Sequence, residues 1–179
     1  VKEVRQEMNH RNLNILCNPL THQPLKLKKK NHHEILIDEK SKQEFLIQNG
    51  VPSFIDASEV SGTNQTSTKF YDIAAPFYGM IQKLWYLFWG GEANARKEYL
   101  KYLDIKDGDK VLEVSVGSGK NINVLPRTAQ YYGLDISWGQ LKQCQRNNQK
   151  NGLDIELFWG KAEHLPFLDE TFQFTSGKC

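Results

Sequence analysis

The chain has 179 residues, of which 39% are hydrophobic and 25% charged, with a formal net charge of +2; that is room for one medium domain, or a small one joined to part of a larger one. The near-neutral balance excludes a dominant nucleic-acid-binding surface, and the first residues lack the charged and apolar regions of a secretion signal. Three cysteines, Cys17, Cys144 and Cys179, are odd in number and far apart, which predicts a reducing, cytoplasmic setting.

Residues 14–17, 24–27, 34–37 and 44–47 have the composition of short strands, and Asn49-Gly50 is a strong turn dipeptide. Lys26, Lys28, Lys29 and Lys30, followed by His32 and His33, form the chain's only charge run. Between two predicted strands it reads as a solvated hairpin tip, the sharper alternative being a patch for RNA or an acidic partner. The closing phrase 47–54, Ile-Gln-Asn-Gly-Val-Pro-Ser-Phe, resembles the end of a small zinc-ribbon module, as in the activator subunits of tRNA and translation-factor methyltransferases. Aligned on that resemblance, the two ligand pairs fall on Asn18 and Thr21, then Asp38 and Ser41. A closed zinc site needs about four soft or imidazole ligands, and none of these is a cysteine. The expectation is a degenerate ribbon without metal, held by hydrophobic packing.

A polar, apolar-poor stretch at 57–68 reads as a linker, dividing the chain into a β-rich module (1–56), the linker (57–68) and a larger unit (69–179). Tyr71 and Tyr78 open the latter in an aromatic pattern, with core packing the plainer reading of both. The apolar run 80–89 is shorter than the ~20 residues needed to span a bilayer, so no membrane span is expected.

Residues 111–114 form an apolar run containing Glu113, and Gly117 and Gly119 follow in a turn leading to a helix-like segment. In an open α/β sheet, the crevice at the carboxyl ends of the strands is where a nucleotide-like ligand binds. The glycines let the backbone approach such a ligand closely. A dinucleotide fingerprint fails because Ile122 stands where the third glycine belongs, and a phosphate loop fails at Val114 and Asn121. Residues 131–136 read as a second strand carrying an acid, Asp135, at about the 20-residue offset that puts a carboxylate over a ribose. Ser137 is a candidate N-cap for a helix over 138–150, with Leu141 and Cys144 on one face, and Gly152 suits its left-handed C-terminus. A third strand follows at 155–159.

Glu113, Ser115, Gly117 and Gly119 resemble motif I of class I S-adenosylmethionine-dependent methyltransferases, E/D-x-G-x-G-x-G, with Ser115 at the first glycine. Residues 160–167, Gly-Lys-Ala-Glu-His-Leu-Pro-Phe, resemble that family's G-D-A-E-x-L-P-F loop, with Lys161 in place of the acid. The lead-in at Tyr71 and the helix around Arg96 match the type-11, ubiquinone/menaquinone-biosynthesis-like branch, and the resemblance runs over roughly 69–174. It implies an α/β, Rossmann-like sheet of strand order 3-2-1-4-5-7-6, of which this chain supplies three strands and the start of a fourth at 172–175. The expectation is a C-terminally truncated domain.

It also implies S-adenosyl-L-methionine as cofactor. Glu113, Ser115, Gly117 and Gly119 would hold its amino-acid end, Asp135 its ribose hydroxyls and Ile136 its adenine face. Ala162 and Glu163 would meet the adenine edge, and Tyr71 would lie over the cofactor. A small-molecule acceptor is the first expectation, with RNA or protein as alternatives. No general base is identifiable. The competing functions are a truncated or relic methyltransferase that binds cofactor without turnover, and a binding module worked by the N-terminal lysine run.

Overall fold

The computed structural model describes Met8, residues 10–55 and residues 91–177; Tyr71, Tyr78 and the apolar run 80–89 lie outside them. The N-terminal part is a four-stranded antiparallel sheet in the order β1 (Lys26–Lys30), β2 (His33–Ile37), β3 (Glu44–Gln48) and β4 (Val51–Pro52). Asn49 and Gly50, both at positive φ (49° and 78°), join β3 to β4, the geometry a two-residue hairpin requires. The strand expected at 14–17 is mostly a 3-10 segment, His10–Ile15, and only Leu16 and Cys17 make isolated β-bridges.

The second sheet is parallel, in the order β7 (Ile155–Trp159), β6 (Gln130–Asp135), β5 (Lys110–Val114) and β8 (Phe174–Gly177). This is the 3-2-1-4 order expected for the first four strands, with the fourth lying two residues later than the sequence indicated. Side chains alternate between the two faces, as the pleat demands. Val111, Tyr131, Ile155, Leu157 and Trp159 form one core, and Leu112, Tyr132, Leu134 and Phe158 form another. Both faces are buried, which explains the unbroken apolar reading of these strands.

Helix α1 (Glu92–Leu100) precedes β5, and α2 (Trp138–Asn151) covers the first face through Leu141 and Cys144. The caps of α2 are those predicted: the Ser137 hydroxyl accepts from the Gln140 amide, and Gly152 is left-handed at φ 60°. The segment after the glycine turn is a single 3-10 turn, Ile122–Val124, rather than the helix suggested by its sequence.

The opposite face of the parallel sheet is covered by the N-terminal module. Leu16, Leu25, Leu36, Phe45 and Phe54 pack with Leu112, Tyr132, Leu134, Phe158 and Phe167 in one cluster. A buried leucine such as Leu16 or Leu36 contributes about 1.5–3 kcal/mol, so this shared core is a major attachment. Polar contacts fix its register. The Tyr132 hydroxyl donates to Asn12 Oδ1 (2.8 Å), and Gln145 Nε2 donates to the Asn49 carbonyl (2.8 Å). The Phe54 amide donates to the Trp159 carbonyl (2.8 Å), and Ser53 bridges Trp159 in parallel. The β7 edge is thereby partly covered, which shields its main-chain groups from other chains.

Candidate functional site

The glycine turn leaves β5 at Val114 and is bent by three left-handed residues, Ser115 (φ 59°), Gly117 (φ 55°) and Gly119 (φ 76°). Ser115 thus adopts a conformation that glycine accepts without cost and serine does not, at the position where motif I has its first glycine. Gly119 is required for a second reason. A Cβ there would stand 2.7 Å from the sulfur of Cys144, which is fully buried beneath the turn. The Val116 amide donates to the Leu134 carbonyl (3.1 Å), pulling the turn down onto β6. Gly133 makes room for it, because a Cβ there would meet Val116 at 2.9 Å.

This approach brings two predicted residues together. The Gly117 amide donates to Asp135 Oδ2 (2.7 Å), while the other oxygen, Oδ1, accepts from the Ser137 amide (2.8 Å). Asp135 is buried, 7% exposed, yet a carboxylate has about four acceptor positions, and these two bonds leave capacity for hydroxyl donors. Glu113, also buried, accepts at Oε1 from Asn121 Nδ2 (2.6 Å). Asn121 Oδ1 in turn accepts from Arg96 Nη1 of α1. The segment before β5 therefore reaches the turn through Arg96. Asn147 of α2 steadies it from the other side, donating to the Ser118 carbonyl (2.9 Å).

Ile136, directly after Asp135, is 42% exposed, unusual for a large apolar side chain beside a core strand. Its carbonyl accepts from Trp159 Nε1 (2.9 Å), and Trp159 packs on Trp138 with ring centroids 5.2 Å apart. The 160–167 segment begins at the same place, its Gly160 amide donating to the Asp135 carbonyl (3.1 Å). Ala162 and Glu163 are exposed and line a recess of about 410 Å³ with Leu112 and Thr175. Lys161 faces a different cleft, of about 550 Å³, with Trp159, Leu20 and Phe54. Six of the nine predicted site residues, Glu113, Ser115, Gly117, Gly119, Asp135 and Ile136, thus gather at the carboxyl ends of β5 and β6. Ala162 and Glu163 follow Gly160 and line the recess together, and Tyr71 is outside the described residues.

Sequence reasoning missed Asn121, Gly133 and Asn147, and read Cys144 only as part of the packed face of α2. Only Gly133 carried a local signal, since a glycine inside a strand often marks a close backbone approach. Burial pushes the Cys144 thiol up to about 12, with the charges of Glu113 and Asp135 adding to it.

The four positions aligned with zinc ligands do converge. Asp38 Oδ2 accepts from Asn18 Nδ2 (2.9 Å), Thr21 Oγ1 (2.7 Å) and Ser41 Oγ (2.7 Å). Hydrophobic packing is therefore not the only thing holding the module, because a buried hydrogen-bonded knot closes it. The Ser41 hydroxyl first, then Thr21, the Lys40 amide and Asn18, hold the Asp38 carboxyl well below the usual carboxylate range against the opposing effect of burial. The lysine run sits on β1, where Lys26 and Lys28 pair with Glu39 and Lys30 pairs with Glu44. Much of its charge is thus matched within the module, and the run lies along a strand rather than at the expected hairpin tip, which falls at Asn31 and His32.

Residues 111–177 match the family model of a methyltransferase domain. Over 68 residues the chain is 47% identical to phthiotriol/phenolphthiotriol dimycocerosates methyltransferase 1 of Mycobacterium ulcerans, covering 36% of this chain and 24% of that protein. The corresponding Mycobacterium tuberculosis protein is 44% identical over the same length and shares. The chain thus spans about a quarter of the length of these two relatives. Among solved structures, the YcgJ protein of Bacillus subtilis superposes with a TM-score of 0.44 at 21% identity, covering 46% of this chain and 36% of that one. A SAM-dependent methyltransferase of Aquifex aeolicus gives 0.41 at 22% identity, covering 46% of each. Over residues 111–177 the chain is thus similar to a methyltransferase domain. Among the described residues no helix is long and apolar enough to cross a membrane.

Proposed function

We propose that the protein is an S-adenosylmethionine-dependent methyltransferase of the type-11 branch acting on a small-molecule acceptor. The observation that carries this reading is the hydrogen bond from the Gly117 amide to the Asp135 carboxylate. It joins a glycine turn at the end of β5 to an acid at the end of β6, at the strand ends where nucleotide-like ligands bind in α/β sheets.

The donor set suits that cofactor better than a phosphate-bearing one. Glu113 and Asp135 are both buried acids, which favour an ammonium group and ribose hydroxyls and would repel a phosphate. S-adenosylmethionine supplies a methyl group on a positively charged sulfur, open to in-line displacement by an acceptor. The chain's part is positioning. Ser115, Gly117 and Gly119 present backbone to the amino-acid end, with Glu113 held by Asn121 behind them. Asp135 accepts from the ribose hydroxyls, Ile136 offers an apolar platform for adenine, and the Ala162 amide and Glu163 lie toward its edge. The acceptor class rests on the names of the Mycobacterium relatives, which are phthiotriol/phenolphthiotriol dimycocerosates methyltransferases.

Titration calorimetry with S-adenosylhomocysteine tests the reading. Binding that vanishes in Asp135→Ala is the expected result. A folded wild-type protein that takes up no heat at high concentration would sink it. No observation favours the inactive-relic alternative over this reading.

A further inference from the structure

Residues 18–23 and 38–43 are two turns built alike. In the first, the Asn18 amide donates to the Gln23 carbonyl (2.9 Å) and the His22 amide returns to the Asn18 carbonyl (2.8 Å). In the second, the Asp38 amide donates to the Gln43 carbonyl (3.0 Å) and the Lys42 amide to the Asp38 carbonyl (2.8 Å). His22 and Lys42 are both left-handed, at φ 53° and 63°. In each turn the first side chain also accepts from the amide two residues on: Leu20 to Asn18 Oδ1, and Lys40 to Asp38 Oδ1, both at 2.9 Å. The two turns face each other across Asp38, which takes donors from both, and Asn18 Nδ2 also reaches Gln43 Oε1 (3.0 Å). Asn18 and Asp38 have no solvent exposure.

The first turn continues directly from the stretch that grips the 160–168 segment. The Cys17 amide donates to the Pro166 carbonyl (3.0 Å), the Leu168 amide donates to the Ile15 carbonyl (2.9 Å), and Leu16 bridges Phe167. Pro19 and His22 of that turn line the recess that Ala162 and Glu163 also line. The segment is therefore held at one end by Gly160 on Asp135 and at the other by the N-terminal module.

We propose that the Asp38-centred clasp is a positioning device for the methyltransferase site, fixing the 160–168 segment so that its backbone can read the adenine edge. This rests on the function proposed above. Asp38 and its partners touch neither cofactor nor acceptor. They act by holding the first turn, and through it Ile15 and Cys17, in one place. A charged acceptor receiving several hydrogen bonds away from water makes such a hold stiff, because each bond is stronger there than in solvent.

The test compares wild type with Asp38→Ala, the milder Thr21→Val and the conservative Ser41→Thr. Amide hydrogen exchange at Cys17 and Leu168 reports the hold without any ligand. Calorimetry with S-adenosylhomocysteine and S-inosylhomocysteine, which differ only at the purine edge, reports the reading. The expected result is faster exchange at both amides in Asp38→Ala and Thr21→Val, with Ser41→Thr unchanged. The preference of wild type for the adenine compound should fall about tenfold in Asp38→Ala, whereas general loosening would weaken both ligands alike and preserve the preference. Unchanged exchange in a folded Thr21→Val or Asp38→Ala, or an unchanged preference, overturns the proposal. If wild type binds neither compound while exchange still rises in the variants, the mechanical hold stands and it is the cofactor reading that fails.

Discussion

Gly119 lies so close over Cys144 that a single added methyl would come within 2.7 Å of the sulfur, at a residue already turned to φ 76°. The turn and α2 are therefore fitted to each other at this one point. Gly119→Ala should cost about 1–3 kcal/mol by overpacking, together with the strain of a left-handed alanine. Cys144→Ala opens space beneath it. The double variant should consequently be more stable than the sum of the two single losses predicts, since residues in contact do not add. Urea denaturation of all four proteins checks this, and strict additivity would mean the contact is not the cause.

Asp135 accepts from two main-chain amides, one on each oxygen. Asn at this position offers only one acceptor oxygen and sets its amide hydrogens against a second donor. Asp135→Asn should therefore lose about 1–3 kcal/mol of stability, the cost of an unsatisfied buried donor. Its affinity for S-adenosylhomocysteine should fall at least about tenfold. A variant with wild-type affinity would remove Asp135 from the ribose site.

The lowered pKa of Asp38 makes stability depend on acid. Because the folded value lies below the unfolded one, near ~4 for an ordinary Asp, the stabilisation is complete above that point and is lost as pH falls toward the folded value. Asp38→Asn removes this titration, so its stability should decline less steeply than that of wild type from about pH 4 downward. Urea midpoints taken across the acid range give the comparison, and parallel curves would count against the role given to the carboxylate.

Burial pushes the thiols of Cys144 and Cys17 up to about 12 and 11, so neither is a nucleophile in the folded protein at neutral pH. Labelling by a thiol reagent, located by peptide mass mapping, should track opening of the fold rather than pH-driven ionisation. Bound S-adenosylhomocysteine should slow labelling at Cys144 in particular, since the turn it would rest on covers that sulfur. Fast labelling of Cys144 in native protein would contradict its burial.

What the sequence made legible were features written locally. The acids in β5 and β6, the Ser137 and Gly152 caps of α2 and the Asn49-Gly50 hairpin each depend on a few adjacent residues. Ser115 stands in the sequence where the motif has a glycine, and the backbone shows it as a serine held in a glycine's conformation. What stayed hidden needed two distant segments at once. Asn121 matters because Glu113 and Arg96 reach it from opposite sides. Asp38 looked like a lost ligand position until Asn18 and Thr21, from 20 and 17 residues earlier in the chain, closed around it. The expected helix at Ile122 is instead a 3-10 turn, its Val124 and Leu125 amides bonding to the Asn121 and Ile122 carbonyls, and the Asn123 side chain turns back to the Gly119 carbonyl. Such local bonds compete with regular helix.

The contact between Asn12 and Tyr132 joins positions 120 residues apart, and the shared core around it draws on both ends of the chain. Loop closure over such distances must occur before those contacts give anything back, and parallel pairing adds to the delay. Refolding from denaturant should therefore be slow. A version starting after the N-terminal module would emerge with Leu112, Tyr132, Leu134 and Phe158 facing water, and would be prone to aggregate before it could act on anything.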